Sequence, residues 1–179
     1  MHLRTPAANG GGFTLIELMV TVAVAAILTA IAIPAWRSFE QNDRMMSEAF
    51  MLRASMDLAR AEAVKEDASV SVCASSDSLT CSSNNWANGW IVLSSQGGAP
   101  LQVVPAAVAS NTITEHTGPY SMVTFLSTGL TNLAANAQYN ICDTRGGAYA
   151  RAVQVSVMGR VSSAPQVGQN LAGQALTCP

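Results

Sequence analysis

Cys73, Cys81, Cys142 and Cys178 are the residues whose type and spacing most directly suggest chemistry. No two of them form a C-x2-C pair, so neither a zinc knuckle nor a thioredoxin-like redox pair is expected, and no metal site is assigned. Disulfides are the better reading. Three pairings are open by count. The favoured one joins Cys73 to Cys81 across a local loop and Cys142 to Cys178 between a strand and the chain's end. Loops of these lengths are worth about 2.6 and about 3.8 kcal/mol in the chain-entropy relation. Such bonds persist outside the cytosol, so the cysteine-bearing part is expected in an oxidising compartment. Of the 2 histidines, His2 and His116, the second lies in TEHTGPY and reads as a solvated loop residue. There is no H-E-x-x-H, no G-x-S-x-G and no phosphate-binding glycine loop before a helix. No catalytic residue, cofactor or enzymatic activity is expected.

Glu17 is the other chemically informative residue. It stands at the head of an uncharged run, LMVTVAVAAILTAIAIPAW, from Leu18 to Trp36. At about 1.5 Å per helical residue this run spans about 28 Å, close to the roughly 30 Å of a bilayer's hydrocarbon core. A removable secretory signal has a shorter apolar region followed by a small-residue cleavage site, whereas here Arg37-Ser38-Phe39-Glu40 follows. The run therefore reads as a retained membrane helix. A carboxylate within such a helix costs about 2.5–3.5 kcal/mol at the bilayer centre and less near the interface, so it calls for a partner or for a path to the headgroups.

The elements around these residues follow from composition. With 179 residues, 11% charged against a typical ~25%, and a net charge of −2, the chain is neither a disordered polyampholyte nor a broadly basic nucleic-acid binder. It has room for one compact domain and one additional element.

Gly12 followed by Phe13-Thr14-Leu15-Ile16-Glu17 and then an apolar run resembles the class III signal of type IV pilins and type II secretion pseudopilins. The resemblance implies that a prepilin peptidase cuts between Gly12 and Phe13 on the cytoplasmic side and that the new terminus is N-methylated. It also implies that Glu17 neutralises the free amine of a neighbouring subunit's Phe13 and so sets filament register. Pro34, the twenty-second residue counted from Phe13, matches a proline where these helices kink.

Beyond Pro34 an apolar stripe of Phe39, Met46, Ala49, Leu52, Met56, Ala59 and Ala63 faces away from a charged side that includes Glu40–Arg44 and Arg53–Asp57 pairs. One helix is expected from about Thr14 to Glu66. Short β-rich runs follow: Ser69–Cys73, Trp90–Leu93, Leu101–Val104, Thr112–Thr114, Ser121–Leu126, Tyr139–Cys142 and Ala150–Val157. Trp36 is placed at a membrane interface, and Trp86 and Trp90 in the head. The fold class is α+β, a pilin-like long helix on a head of short antiparallel strands. The expected segments are a leader (1–12), a membrane or filament-core helix (13–36), an amphipathic half (37–67) and a β-rich head (68–179).

The stretches ARAEAVKED-ASVSVC, NNWANGWIVL and ICDTRGGAYARAVQVSVMGRV resemble the FimT/FimU/GspH group of minor pilins and pseudopilins. That resemblance implies a minor subunit that primes a type IV pilus, within machinery of motility, adhesion and DNA uptake. It would be held first in the inner membrane by a single pass, its head periplasmic, and later in the surface filament. The implied partners are other minor pilins, the major pilin and the prepilin peptidase, with no cofactor. A type II secretion pseudopilin is the alternative. A further alternative is a DNA receptor, whose relatives carry Gly-Arg-x-Arg where this chain has Gly159-Arg160-Val161-Ser162. Arg145 and Arg160 are the candidate nucleic-acid contacts. Their favoured reading is solvated turn residues or a pair with Asp143, because a few scattered arginines neutralise little phosphate.

Overall fold

The computed structural model describes residues 12–107, 111–118 and 120–179. Positions 1–11 of the expected leader lie outside the described residues. The chain divides after Glu40 into two units.

The first unit carries the opening of α1 (Leu15–Glu66). No residue of its apolar window is buried within the chain. Leu18, Val22, Ile27 and Ile31 all stand exposed, an apolar surface that is unfavourable in water and suited to an apolar surrounding. Hydroxyls in this stretch turn inward: Thr21 Oγ1 donates to the Leu18 carbonyl and Thr29 Oγ1 to those of Ala25 and Ala26, which leaves the helix surface apolar.

In the second unit, the rest of α1 buries Met45, Ala49, Leu52, Met56, Ala59 and Ala63 at alternating spacings of four and three. The expected stripe is one residue off at its start. Met45 is buried, whereas Met46 and Phe39 are exposed. Stepping back four residues from Ala49 keeps the 3.6-residue period on the face that meets the sheets, and a step of three leaves it. The helix ends with Asp67 in the left-handed conformation (φ 49°), and the Ala68 N–H donates to the Ala63 carbonyl, a Schellman closure. Lys65 in the last turn complements the helix dipole.

Eight strands follow: β1 (Val70–Ala74), β2 (Gly89–Ser94), β3 (Gln102–Pro105), β4 (Thr112–Glu115), β5 (Met122–Phe125), β6 (Ala137–Cys142), β7 (Arg151–Val155) and β8 (Val161–Ser163). They form two antiparallel sheets, ordered β3-β2-β1-β5 and β4-β6-β7-β8. Alternate residues of both sheets, among them Val70, Val72, Trp90, Val123, Tyr139 and Val153, join the helix stripe in one core. The Trp86 and Tyr139 rings meet edge to face at 5.0 Å within it. Burial pushes the Tyr139 hydroxyl far above its ordinary range.

β6 is buried at every position because its second face is covered too. Cys142, Ala150, Ala152 and Leu176 form a small cluster there. Asn140 Nδ2 donates to the Thr177 carbonyl, so the chain's end is laid against the sheet. β8 was not among the expected strands. It pairs Val155 with Val161 and Val153 with Ser163 across the turn at Gly159.

Candidate functional site

The first turn of α1 is closed by Thr14 and Glu17 acting on each other. Glu17 N–H donates to Thr14 Oγ1 at 3.3 Å, while Thr14 N–H and Thr14 Oγ1 each donate to Glu17 Oε2 at 3.2 Å. This is a capping box, and it satisfies donors that the start of a helix leaves open. Among the described residues Glu17 has no cationic partner. Its carboxylate is therefore held at the helix start by neutral donors, four residues along the chain from Phe13, which is 84% exposed. A charge so placed, beside an apolar helix and with one oxygen outside the box, can receive an amine from outside the chain. Thr14 had not been identified as part of this site. The S/T-x-x-E spacing before an apolar run was its available signal.

Gly12 is exposed, and a Cβ built on it meets nothing within 4 Å. Nothing in the fold demands glycine there. Pro34 lies inside α1, where it removes one backbone donor.

In the head, disulfides join Cys73 to Cys81 and Cys142 to Cys178, with Cα separations of 5.5 and 5.9 Å. The first closes the loop after β1. That loop is organised by Asp77, whose carboxylate accepts from Thr80 Oγ1, from the Thr80 and Leu79 N–H groups and from Ser75 Oγ. These donors, Thr80 foremost, hold Asp77 well below the usual carboxylate range. The second ties the carboxyl end to β6.

The structure does not bring the two candidate arginines into one site. Arg145 is held by Asp143, with Nη2 2.6 Å and Nε 2.8 Å from Oδ2, and its guanidinium lies 4.4 Å from the centre of the Tyr149 ring. Arg160 is exposed in the β7–β8 turn. A Cβ on the adjacent Gly159 would strike the Gly129 carbonyl and come 3.3 Å from Arg60 Nε, so that turn packs on another turn and on α1. Among the described residues no cluster of three or more His, Cys, Asp or Glu is arranged to hold a metal ion.

Comparison with known proteins agrees with these features. The family described as type II transport protein GspH matches residues 49–159, and the prokaryotic N-terminal methylation motif matches residues 8–33. The type IV minor pilin FimU of Pseudomonas aeruginosa is similar in structure: TM-score 0.58, 26% identity, 71% of this chain and 92% of that one. The type IV major fimbrial protein FimA of Dichelobacter nodosus is 42% identical over 59 residues, 31% of this chain and 37% of its own length. The fimbrial protein EcpC of Eikenella corrodens is 54% identical over 41 residues, 23% and 26% of the two chains. The chain thus spans about a third or less of the curated relatives it matches.

Proposed function

We propose that this chain, which belongs to the GspH family of type IV pilin and pseudopilin subunits, is a minor pilin that helps to prime a type IV pilus and is built into it. Members of that family are structural subunits rather than enzymes.

The observation that carries the reading is the coincidence, at one end of α1, of Phe13, a capped Glu17 and a helix surface that is apolar all round. Each Val, Leu, Ile or Met side chain on that surface gains about 1.5–3 kcal/mol on leaving water. Lipid can supply that environment before assembly, and the helices of neighbouring subunits afterwards. A peptidase cut after Gly12 frees the Phe13 amine. Glu17 then exchanges part of its own cap for a neighbour's amine, which fixes the axial stagger, and Pro34 lets the helix bend as it moves from lipid to filament. The head remains outside the inner membrane, where its disulfides are stable.

The likeness to the minor pilin FimU over nearly all of that chain favours the pilus over the secretion machine. The family's own description, type II transport, favours a second reading, a subunit of a secretion pseudopilus. Deleting the gene separates the two. The pilus reading predicts fewer surface filaments with secreted proteins unchanged. Normal filaments with secretion lost would overturn it in favour of the second. A nucleic-acid receptor is not proposed, since Arg145 is already engaged by Asp143 and Tyr149.

A further inference from the structure

Two turns of the head meet beside α1. The Thr131 N–H donates to the Val157 carbonyl, and Thr131 Oγ1 donates to the carbonyls of Ser156 and Val157, so the turn after β5 is stitched to the turn between β7 and β8. Gly129 and Gly159 stand where the turns touch, with φ of 78° and 75°. Both are buried although they lie in turns, because Gly159 abuts the Gly129 carbonyl and the Arg60 side chain lies over the pair. A Cβ on Gly129 would come 3.4 Å from Arg60 Nε, and one on Gly159 3.3 Å. Arg60 is thereby seated beside the residue that precedes Arg160, and both arginines are exposed.

Neither guanidinium is matched within the chain. Helical spacing puts Met56, Asp57, Ala63 and Val64 within reach of Arg60, and Asp57, the one acid among them, is engaged by Arg53 at 3.6 Å. From residue 117 to the end the sequence holds one acid, Asp143, which Arg145 takes. Among the described residues, neither Arg60 nor Arg160 makes an ion pair or a side-chain hydrogen bond. Around them apolar side chains stand in solvent: Val64 is 54% exposed, Met158 65% and Leu130 38%. Leu130 and Met158 adjoin the two glycines, and Val64 lies one turn along α1 from Arg60. Arginine and methionine are enriched at protein interfaces, and a guanidinium meets a carboxylate with two parallel N–H donors. A nucleic acid would use the two charges but leave the apolar side chains in water, and two cations neutralise little phosphate. The chemistry that complements the whole patch is a protein surface with carboxylates among apolar side chains.

We propose that this patch docks an acidic surface of a neighbouring subunit in the same assembly, with Arg60 and Arg160 taking its carboxylates and Val64, Leu130 and Met158 its apolar side chains. The proposal rests on the assembly reading and adds to it a contact in the head that uses neither Phe13 nor Glu17.

The test uses cells producing the full chain unaltered, with Arg60→Glu and Arg160→Glu together, or with Arg60→Lys and Arg160→Lys together. Sheared filaments and membranes are each quantified by mass spectrometry, and each is treated with a carbodiimide, which joins a carboxylate to an amine in direct contact and does not couple arginine. The charge-reversed variant should be made and cut like the unaltered chain but fall about tenfold in filaments, because like charges then face each other, while the lysine variant is retained. The carbodiimide should join position 60 or 160 of the lysine variant to an Asp or Glu of another pilin-like subunit, a product that the unaltered chain does not give. Both side chains are exposed, so equal melting temperatures of the purified full chains in micelles separate a lost contact from a lost fold. Three results would overturn the proposal: a charge-reversed variant as abundant in filaments as the unaltered chain, no coupling of position 60 or 160 to another subunit in either fraction, or binding of duplex DNA by the unaltered chain that the charge-reversed variant loses. Absence of the unaltered chain from filaments counts against the pilus reading instead, and coupling in the membrane fraction then decides the patch.

Discussion

At the scale of single residues, the start of α1 and the acidic turns of the head lead to different experiments. Because a side chain on Gly12 meets no neighbour, Gly12→Val should leave the fold intact. The account then expects an uncut precursor, seen as a band heavier by the leader in membrane fractions, and a normally sized product would refute the assigned cut. In the head, burial pushes the Asp143 carboxyl up, but the Arg145 side-chain hydrogen bond, backbone N–H and charge together outweigh it and hold the group below its ordinary range. A group whose folded pKa lies below its unfolded one stabilises above the unfolded value and loses that contribution as pH falls through the folded value. The melting temperature should therefore hold from pH 7 to about 4 and decline below that. Asp143→Asn should flatten the decline, and an unaltered acid limb would exclude this pair as a contributor. Asp77 titrates in the same direction.

At the scale of elements, α1 is fastened to the head by a buried polar contact as well as by its apolar stripe. Trp90 Nε1 donates to Ser55 Oγ at 2.9 Å, and Ser55 Oγ donates back to the Met51 carbonyl. Ser55→Ala leaves the indole donor buried without a partner, at a cost of about 1–3 kcal/mol. A urea titration of the full chain followed by tryptophan fluorescence should show the midpoint move down, and no shift would mean that the contact is energetically neutral.

The order of elements was legible because apolar periods of 3.6 and 2 change over cleanly at Asp67, and because Ser, Asn and Gly clusters separate the strands. Three features were less legible, each for a physical reason. β8 is three residues long with two serines, too short to show a period, and it exists because the Gly159 turn folds it back on β7. The start of the buried stripe depends on where the helix meets the sheets, which two adjacent methionines, Met45 and Met46, do not reveal. The S/T-x-x-E spacing allows a cap at Thr14, but whether its hydroxyl and Glu17 bond to each other depends on local geometry that spacing alone does not fix.

At the scale of the whole molecule, the distribution of charge separates two kinds of surface. Between Leu18 and Trp36 there is no charged residue, the stretch 37–67 holds most of the chain's Lys, Arg, Asp and Glu, and the β-rich head carries very few. The chain thus has one apolar helix surface, one charged stretch, and a neutral head stabilised by two disulfides rather than by ion-pair networks. That division of labour suits assembly. The most direct test is mass spectrometry of surface filaments sheared from cells producing this chain or its Glu17→Ala variant. The account predicts a peptide beginning at N-methylated Phe13 in the first sample, with the variant cut at the same bond but remaining in the membrane fraction. Filaments containing the variant as abundantly as the unaltered chain, or carrying it with residues 1–12 still attached, would contradict it.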